Sequence, residues 1–262
     1  MPPTLRSADD ERGRMSDLVI VRDEANVRTL RMNRPDKKNA LTGPMYQAMA
    51  RAIETAAGDS VRCVVILGVP GAFCAGNDLQ EFLAAAQSGR LDRPAHQFLH
   101  ALAHSSLPLV AGVQGVAVGV GTTMLLHCDY VVAGTDAHFS TPFVKLGLVP
   151  EAASSLLAPR LMGQRRAFAA LVMGRALDAE AALACGLANV AVAPAQVDAE
   201  ALKAASEIAA LPPEAVAASR RLLRGPVEEI AARIDEEVGI FNERLRSTEA
   251  RRAFEDFLSR KR

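Results

Sequence analysis

Apolar and polar side chains alternate in the short run Val27–Met32, where Val27, Leu30 and Met32 are set against Arg28, Thr29 and Arg31. The pattern predicts a half-buried strand, paired with Leu18–Arg22 across a turn at Asp23–Asn26. Val61–Leu67 and Leu109–Val113 are apolar throughout, as strands buried on both faces must be. Asp129–Ala133 reads as a further strand. Asn33–Asn39 is a loop by composition. Thr42 is placed to cap a helix that carries Pro44 in its first turn and runs to about Ala57. Asp78 opens another helix, and Pro94–His104 is a third. Gly68–Gly76 and Gly115–Gly121 read as turns, the second leading into a helix over Thr122–His127. Strands alternating with helices predict an α/β chain with parallel pairing. Beyond Pro150 the strands almost stop. Helices are predicted over Ala152–Met162, Gln164–Met173, Asp178–Ala184, Gln196–Ala210, Pro213–Leu223, Pro226–Arg246 and Thr248–Ser259, with one short strand at Ala188–Val192. Ile230, Ile234, Val238, Phe241 and Leu245 recur every three or four residues. That apolar face exceeds what a lone terminal helix pair covers, so another subunit is expected to meet it.

Composition narrows the function classes. Thirty basic residues balance thirty acidic ones, only 4% of residues are aromatic and there is no Trp. A nucleic-acid binder needs a basic surface and stacking platforms, so that class is disfavoured. Cys63, Cys74, Cys128 and Cys185 lie in apolar stretches without CxxC spacing and read as buried, reduced thiols of a cytoplasmic protein. Residues 1–14 are polar and aperiodic: a flexible tail is expected, with no secretory signal. No apolar run is long enough to span a membrane.

Several chemical signatures are missing: GxxxxGK[ST], GxSxG and HExxH do not occur. Gly119-Val120-Gly121 follows a strand, but Met124 stands where a dinucleotide fingerprint has its third glycine. His96, His100 and His104 share one helix face, yet no carboxylate or cysteine sits nearby at ligand spacing, so no metal is expected and the face reads as surface or partly buried. His127 and His138 read as packing or cap residues. Two stretches say more. Phe73–Leu79 and Gly115–Gly121 each pass from a turn into a helix, where free backbone N–H groups and the helix dipole favour negative charge. Their small residues, among them Ala75, Gly76, Gly119 and Gly121, allow a ligand close to the main chain. Two such donors converging on one point form an oxyanion hole. On the residues alone, two ordinary strand-to-helix turns are an equal reading.

From about Met15 onward the chain resembles the crotonase (enoyl-CoA hydratase/isomerase) superfamily. The matching segments are Asn33-Arg34-Pro35-Asp36-Lys37-Lys38-Asn39-Ala40-Leu41, Phe73–Leu79, Gly115–Asp129, Phe139-Ser140-Thr141-Pro142-Phe143, Gly186-Leu187-Ala188 and Ala253-Phe254, in the right order and spacing. The resemblance implies an α/β spiral of ββα turns over residues 15–195. It also implies a helical region over 196–262 that builds a trimer or dimer of trimers, and an acyl-CoA thioester substrate with no further cofactor. By it, the N–H groups of Asn77 and Val120 bind the thioester oxygen as an enolate forms. Lys37, Lys38 and Ala40 lie along the CoA, and Ala75, Gly76, Asn77, Asp78 and Leu79 surround its pantetheine and adenine.

The reaction turns on carboxylates. The superfamily's hydratases use two glutamates to hold and activate water. At the matching positions this chain has Thr123 and Phe143, and a phenyl ring neither carries a proton nor positions water. One acid remains, Glu151 in Leu148-Val149-Pro150-Glu151-Ala152-Ala153-Ser154-Ser155, a segment resembling the loop of peroxisomal-type Δ3,Δ2-enoyl-CoA isomerases whose glutamate is the single base. The ordinary alternative is a first-turn acid favourable to the helix dipole. Asp78 reads as fixing its loop. Three functions follow: an enoyl-CoA isomerase using Glu151; a hydratase or another crotonase reaction (hydrolysis, dehalogenation, ring opening) with atypical residues; and a non-catalytic acyl-CoA-binding protein.

Overall fold

The computed structural model describes residues 18–78, 80–83 and 93–259, so the tail over 1–14 and Leu79 lie outside the described residues. Two sheets share the strands. The larger has six, in the order β1 (Val19–Glu24), β2 (Val27–Met32), β3 (Cys63–Leu67), β5 (Leu109–Val113), β7 (Tyr130–Gly134) and β10 (Val190–Val192). The smaller has four, in the order β4 (Ala72–Cys74), β6 (Val116–Val118), β8 (His138–Ser140) and β9 (Leu177–Asp178). β1 and β2 form the expected antiparallel pair, and the rest of the large sheet is parallel. Each successive turn of chain thus lays one strand in each sheet, β3 then β4, β5 then β6, β7 then β8, which is the spiral the resemblance implies.

The corner between β5 and β6 shows why glycine is needed there. Gly115 has φ +59°, and a Cβ on it would lie 1.9 Å from the Gly71 carbonyl oxygen of the previous turn. A side chain would pry adjacent turns apart.

The uniformly apolar runs are buried on both faces, as read: every residue of β3 and β5 is buried. One face of the large sheet meets α1 (Gly43–Ala56) and α2 (Arg93–His104), whose Met45, Met49, Phe98 and Leu99 lie in the main core with Leu30, Val64 and Ile66. The other face, carrying Val27, Cys63, Val65 and Val132, is covered by Val197, Ala201, Ala205 and Ala209 of α7 (Val197–Ala210). The helix that opens the region after residue 196 is therefore part of the sheet's own core. Thr42 stands at the N-cap of α1, but its side chain makes no cap bond and its buried hydroxyl has no partner; the Gly43 N–H donates instead to Glu81 Oε2 at 2.7 Å.

The remaining helices are α3 (Val120–Thr123), α4 (Ser154–Met162), α5 (Gln164–Leu171), α6 (Ala179–Ala184), α8 (Pro213–Arg224), α9 (Val227–Leu245) and α10 (Thr248–Ser259). The amphipathic face of α9 is not left over for a partner, which corrects the reason given for an oligomer. Ile230 and Ile234 join the main core, and Phe241 and Leu245 pack with Phe143, Leu148, Ala250 and Phe254. Large apolar side chains face water elsewhere, most fully Leu222 (81% exposed) and Leu223 (88% exposed) near the end of α8. All four cysteines are free, and burial pushes the thiols of Cys63 and Cys74 up to about 12. No described helix is long and apolar enough to cross a membrane.

Candidate active site

Three of the motif segments run side by side. The Ala75 N–H donates to Lys38 O at 2.9 Å, the Leu41 N–H to Gly76 O at 2.7 Å, and the Asp78 N–H to Leu41 O at 2.8 Å. The chain over 38–41 is thereby strung along 75–78. Lys38 (φ +49°) and Asn39 (φ +55°) turn in the left-handed region, and the buried Asn39 amide locks the turn by donating to Ala72 O and Phe73 O. Lys37 and Lys38 project into solvent. The third segment meets the second backbone to backbone, because β4 and β6 are parallel neighbours. A Cβ on Gly76 would sit 3.0 Å from Val118 O, and one on Gly121 would sit 2.6 Å from Cys74 O. Only glycine lets the turns after β4 and β6 approach this closely.

Both turns present main-chain donors. Val120 is the first residue of α3, so its N–H has no intrahelical acceptor. Among the described residues, neither this N–H nor that of Asn77 donates to a turn or loop carbonyl. Asn77 pairs with Leu41 in a parallel bridge, and its side-chain oxygen accepts from the Tyr46 hydroxyl. Asp78 holds the loop, as read. Its Oδ1 accepts from the N–H groups of Gln80 (2.9 Å) and Glu81 (3.3 Å), and its Oδ2 pairs with Arg34 Nη1 at 2.8 Å. Burial alone would raise this carboxyl; the Arg34 guanidinium and the two N–H donors outweigh it and hold Asp78 below its ordinary range.

Glu151 is 5% exposed, and its Oε1 accepts from the Thr123 hydroxyl at 2.6 Å. Thr123 lies one turn into the helix that Val120 begins, so α3 carries both a free N–H and the partner of the carboxylate. Loss of solvent pushes Glu151 up to about 7; the Thr123 bond opposes this and the charge of Glu237 adds to it. An apolar cavity of about 20 Å³ opens beside the same threonine, lined by Thr122, Thr123, Phe139, Leu171 and Leu177 among others. Phe143 is buried against α9 and α10, with its ring 3.9 Å from where a Gly119 Cβ would be.

Sequence reasoning missed what supports Glu151. The two residues after it, Ala152 (φ +65°) and Ala153 (φ +53°), are both left-handed and fully buried, a conformation that costs alanine roughly 1–2 kcal/mol per residue. Side chains from distant elements hold this kink. The His127 ring is 2.8 Å from Ala152 O through Nε2, which must be the protonated nitrogen because a carbonyl only accepts. Burial drives that histidine's pKa down to about 4, so it stays a neutral strut. Glu237 Oε1 accepts from the Ser155 N–H at 2.9 Å, and Arg233 donates to the Ser155 hydroxyl at 3.0 Å. Glu237 is itself buried, with Oε2 unpartnered, and its pKa is raised by that burial. A buried acid 86 residues downstream leaves no local signal in the sequence around Glu151.

A spiral whose adjacent turns each present a free N–H group, one of them on the helix that also bonds a desolvated carboxylate, defines a crotonase-fold enzyme. Residues 22–262 match the family described as enoyl-CoA hydratase/isomerase, and the chain belongs to that family. It is 34% identical over 260 residues to enoyl-CoA delta isomerase 2 of Rattus norvegicus, covering 96% of this chain and 66% of the rat protein, just under two thirds of its length. It is 39% identical over 212 residues to a probable enoyl-CoA hydratase, EchA14, of Mycobacterium tuberculosis, covering 79% and 82% of the two chains. Among solved structures, Pseudomonas aeruginosa OdaA superposes with a TM-score of 0.88 at 44% identity, over 93% of this chain and 99% of that one. Relatives named as isomerases and as hydratases both occur.

Proposed function

We propose that this chain is a Δ3,Δ2-enoyl-CoA isomerase with Glu151 as its single base. The observation that carries the reading is the buried Glu151 carboxyl, bonded to Thr123 on the helix that Val120 opens, in a chain with Thr123 and Phe143 at the hydratase glutamate positions; burial pushes that carboxyl up to about 7. A thioester α-proton is weakly acidic. Removing it requires an enolate stabilised where charge develops, which two backbone N–H groups supply. It also requires a base whose pKa lies near the working pH. The C2–H bond breaks and its proton passes to Glu151; the electron pair moves through the enolate; the proton returns at C4 and the double bond lies between C2 and C3. No water is consumed. Lys37, Lys38, Ala40, Ala75, Gly76 and Asp78, with Leu79 outside the described residues, are proposed to line the CoA path. The likeness to the family further supports a trimer or dimer of trimers.

The experiment compares 3-enoyl-CoA and 2-enoyl-CoA thioesters spectrophotometrically. Isomerisation is expected to exceed hydration, and Glu151→Gln is expected to lower isomerisation at least about 10³-fold while acyl-CoA binding is kept. Efficient hydration without isomerisation, or a Glu151→Gln variant with most of its turnover, refutes the assignment. A hydratase is the second reading, favoured by one observation: a second buried carboxylate, Glu237, close enough for its charge to act on Glu151.

A further inference from the structure

Away from the candidate active site, the described residues bring two histidines of α2 and one aspartate of α9 to a single point. His96 Nε2 lies 2.7 Å from Asp235 Oδ1, His100 Nε2 lies 2.8 Å from the same oxygen, and the two ring nitrogens are 3.1 Å apart. The rings of His96 and His100 meet edge to face, so both nitrogens reach the shared point without stacking. Asp235 is separated from these histidines in sequence by 139 and 135 residues. The reading of the histidine face as carrying no metal rested on local spacing, which does not register a carboxylate from another helix.

Hydrogen bonding does not satisfy this triangle well. A neutral imidazole has one N–H and one lone pair. If both Nε2 atoms donate to Oδ1, their hydrogens crowd each other across 3.1 Å; if one accepts from the other, it has nothing left to give the carboxylate. A cation at the centre uses the lone pair of each atom at once. At bond lengths of about 2.0–2.2 Å, three ligands on one face of an octahedron lie about 2.9 Å apart, and on a tetrahedron about 3.4 Å. The observed 2.7–3.1 Å edges fit the octahedral face. Two imidazoles and a carboxylate are the donors of borderline transition metals, whereas magnesium and calcium take oxygen ligands. His96 and His100 are partly exposed and Asp235 is exposed, so an ion has access and water can fill the remaining positions. His104 stands outside the triangle: it stacks on His100 at 5.6 Å and its Nδ1 lies 2.9 Å from the His100 carbonyl oxygen.

We infer that His96, His100 and Asp235 form a surface site for one divalent transition-metal ion of the zinc and nickel class, clasping α9 to α2. The helix it fastens is the one whose Glu237 caps Ser155, so the clasp would hold the support of the candidate active site without belonging to it.

The test titrates the full chain, free of any affinity tag and stripped with chelator, with zinc chloride and separately with nickel chloride in a calorimeter, and follows thermal unfolding in parallel. Saturable binding of about one ion per chain is expected, with the melting temperature raised by several degrees at saturating metal. Loss of one ligand of three in His96→Ala, His100→Ala or Asp235→Asn is expected to weaken binding at least about tenfold, with affinity unchanged in His104→Ala and no heat from magnesium. The inference is overturned if the wild type binds neither ion saturably, if the three ligand variants bind as the wild type does, or if His104→Ala weakens binding as much as they do.

Discussion

Thr123 has two aspects. In sequence it stands where a hydratase glutamate belongs and reads as a loss; in the fold it is the one hydroxyl that donates to Glu151, at 2.6 Å. That bond favours the ionised carboxylate and offsets part of the desolvation that pushes Glu151 up to about 7. A base works only when ionised, so isomerase kcat/KM should rise with pH through about 7 and level off above it. Thr123→Val removes the donor and leaves the burial. A hydrogen bond to a charged group contributes about 1.5–3 kcal/mol, so the acid limb of the profile should move upward by roughly one to two units. A limb that stays in place, or moves down, in a folded variant would show that the hydroxyl does not tune the base. The candidate site residues were legible as positions: Glu151, Asn77, Val120 and the loop-fixing Asp78 all lie in motif segments that the sequence marks out, and Glu151 bonds the helix that Val120 opens. Their supports were not, because His127 and Glu237 reach the kink at Ala152 and Ala153 from 25 and 82 positions away along the chain in their bonded contacts.

The elements divide by length. Five of the six strands of the large sheet announce themselves by five- and six-residue apolar or alternating runs, and each was found; the sixth, β10, has three residues and was read within Ala188–Val192. In the small sheet β4 and β6 were read as turns, and β9 was absorbed in part into the following helix, since β4 and β6 have three residues each and β9 only two, too few to establish a period of two. Yet that sheet positions the two donor turns. Its tightest contact is testable through glycine. Gly121→Ala would drive a methyl to 2.6 Å from Cys74 O and 2.9 Å from Cys74 Cβ, so β4 must shift. A loss of about 1–3 kcal/mol in urea unfolding should come with a fall in kcat as the Asn77 and Val120 donors separate. Gly119→Ala has open space, its nearest neighbour being Phe143 at 3.9 Å, but φ is +56° with ψ −120°, a region reserved for glycine. It should lose comparable stability through the backbone instead. A Gly121→Ala protein as stable and active as the wild type would mean the two turns are not in the contact described.

For the whole molecule, helix content after Pro150 was read correctly, but its use was not. Periodicity shows that α9 has an apolar face and does not say whether the same chain covers it; here α2, α10 and the core do. Among the described residues the large apolar side chains most open to water are instead Leu222 and Leu223, beside a groove lined by Pro108, Ile208, Leu211, Val216 and Leu223. If the proposed trimer covers this surface, light scattering should give a multiple of the 27.8 kDa chain mass, and Leu222→Asp with Leu223→Asp should yield smaller species without unfolding. A wild type that scatters as a single chain at micromolar concentration would rule the trimer out. The long reach of Glu237 to Ser155 also has a consequence in time. On a ribosome the sheets and Glu151 emerge well before residue 237, so the nascent chain holds its carboxylate on an uncapped, strained turn until α9 has been synthesised. A message truncated anywhere between the end of β10 and residue 237 would therefore yield a spiral with its strands in place and Glu151 unsupported.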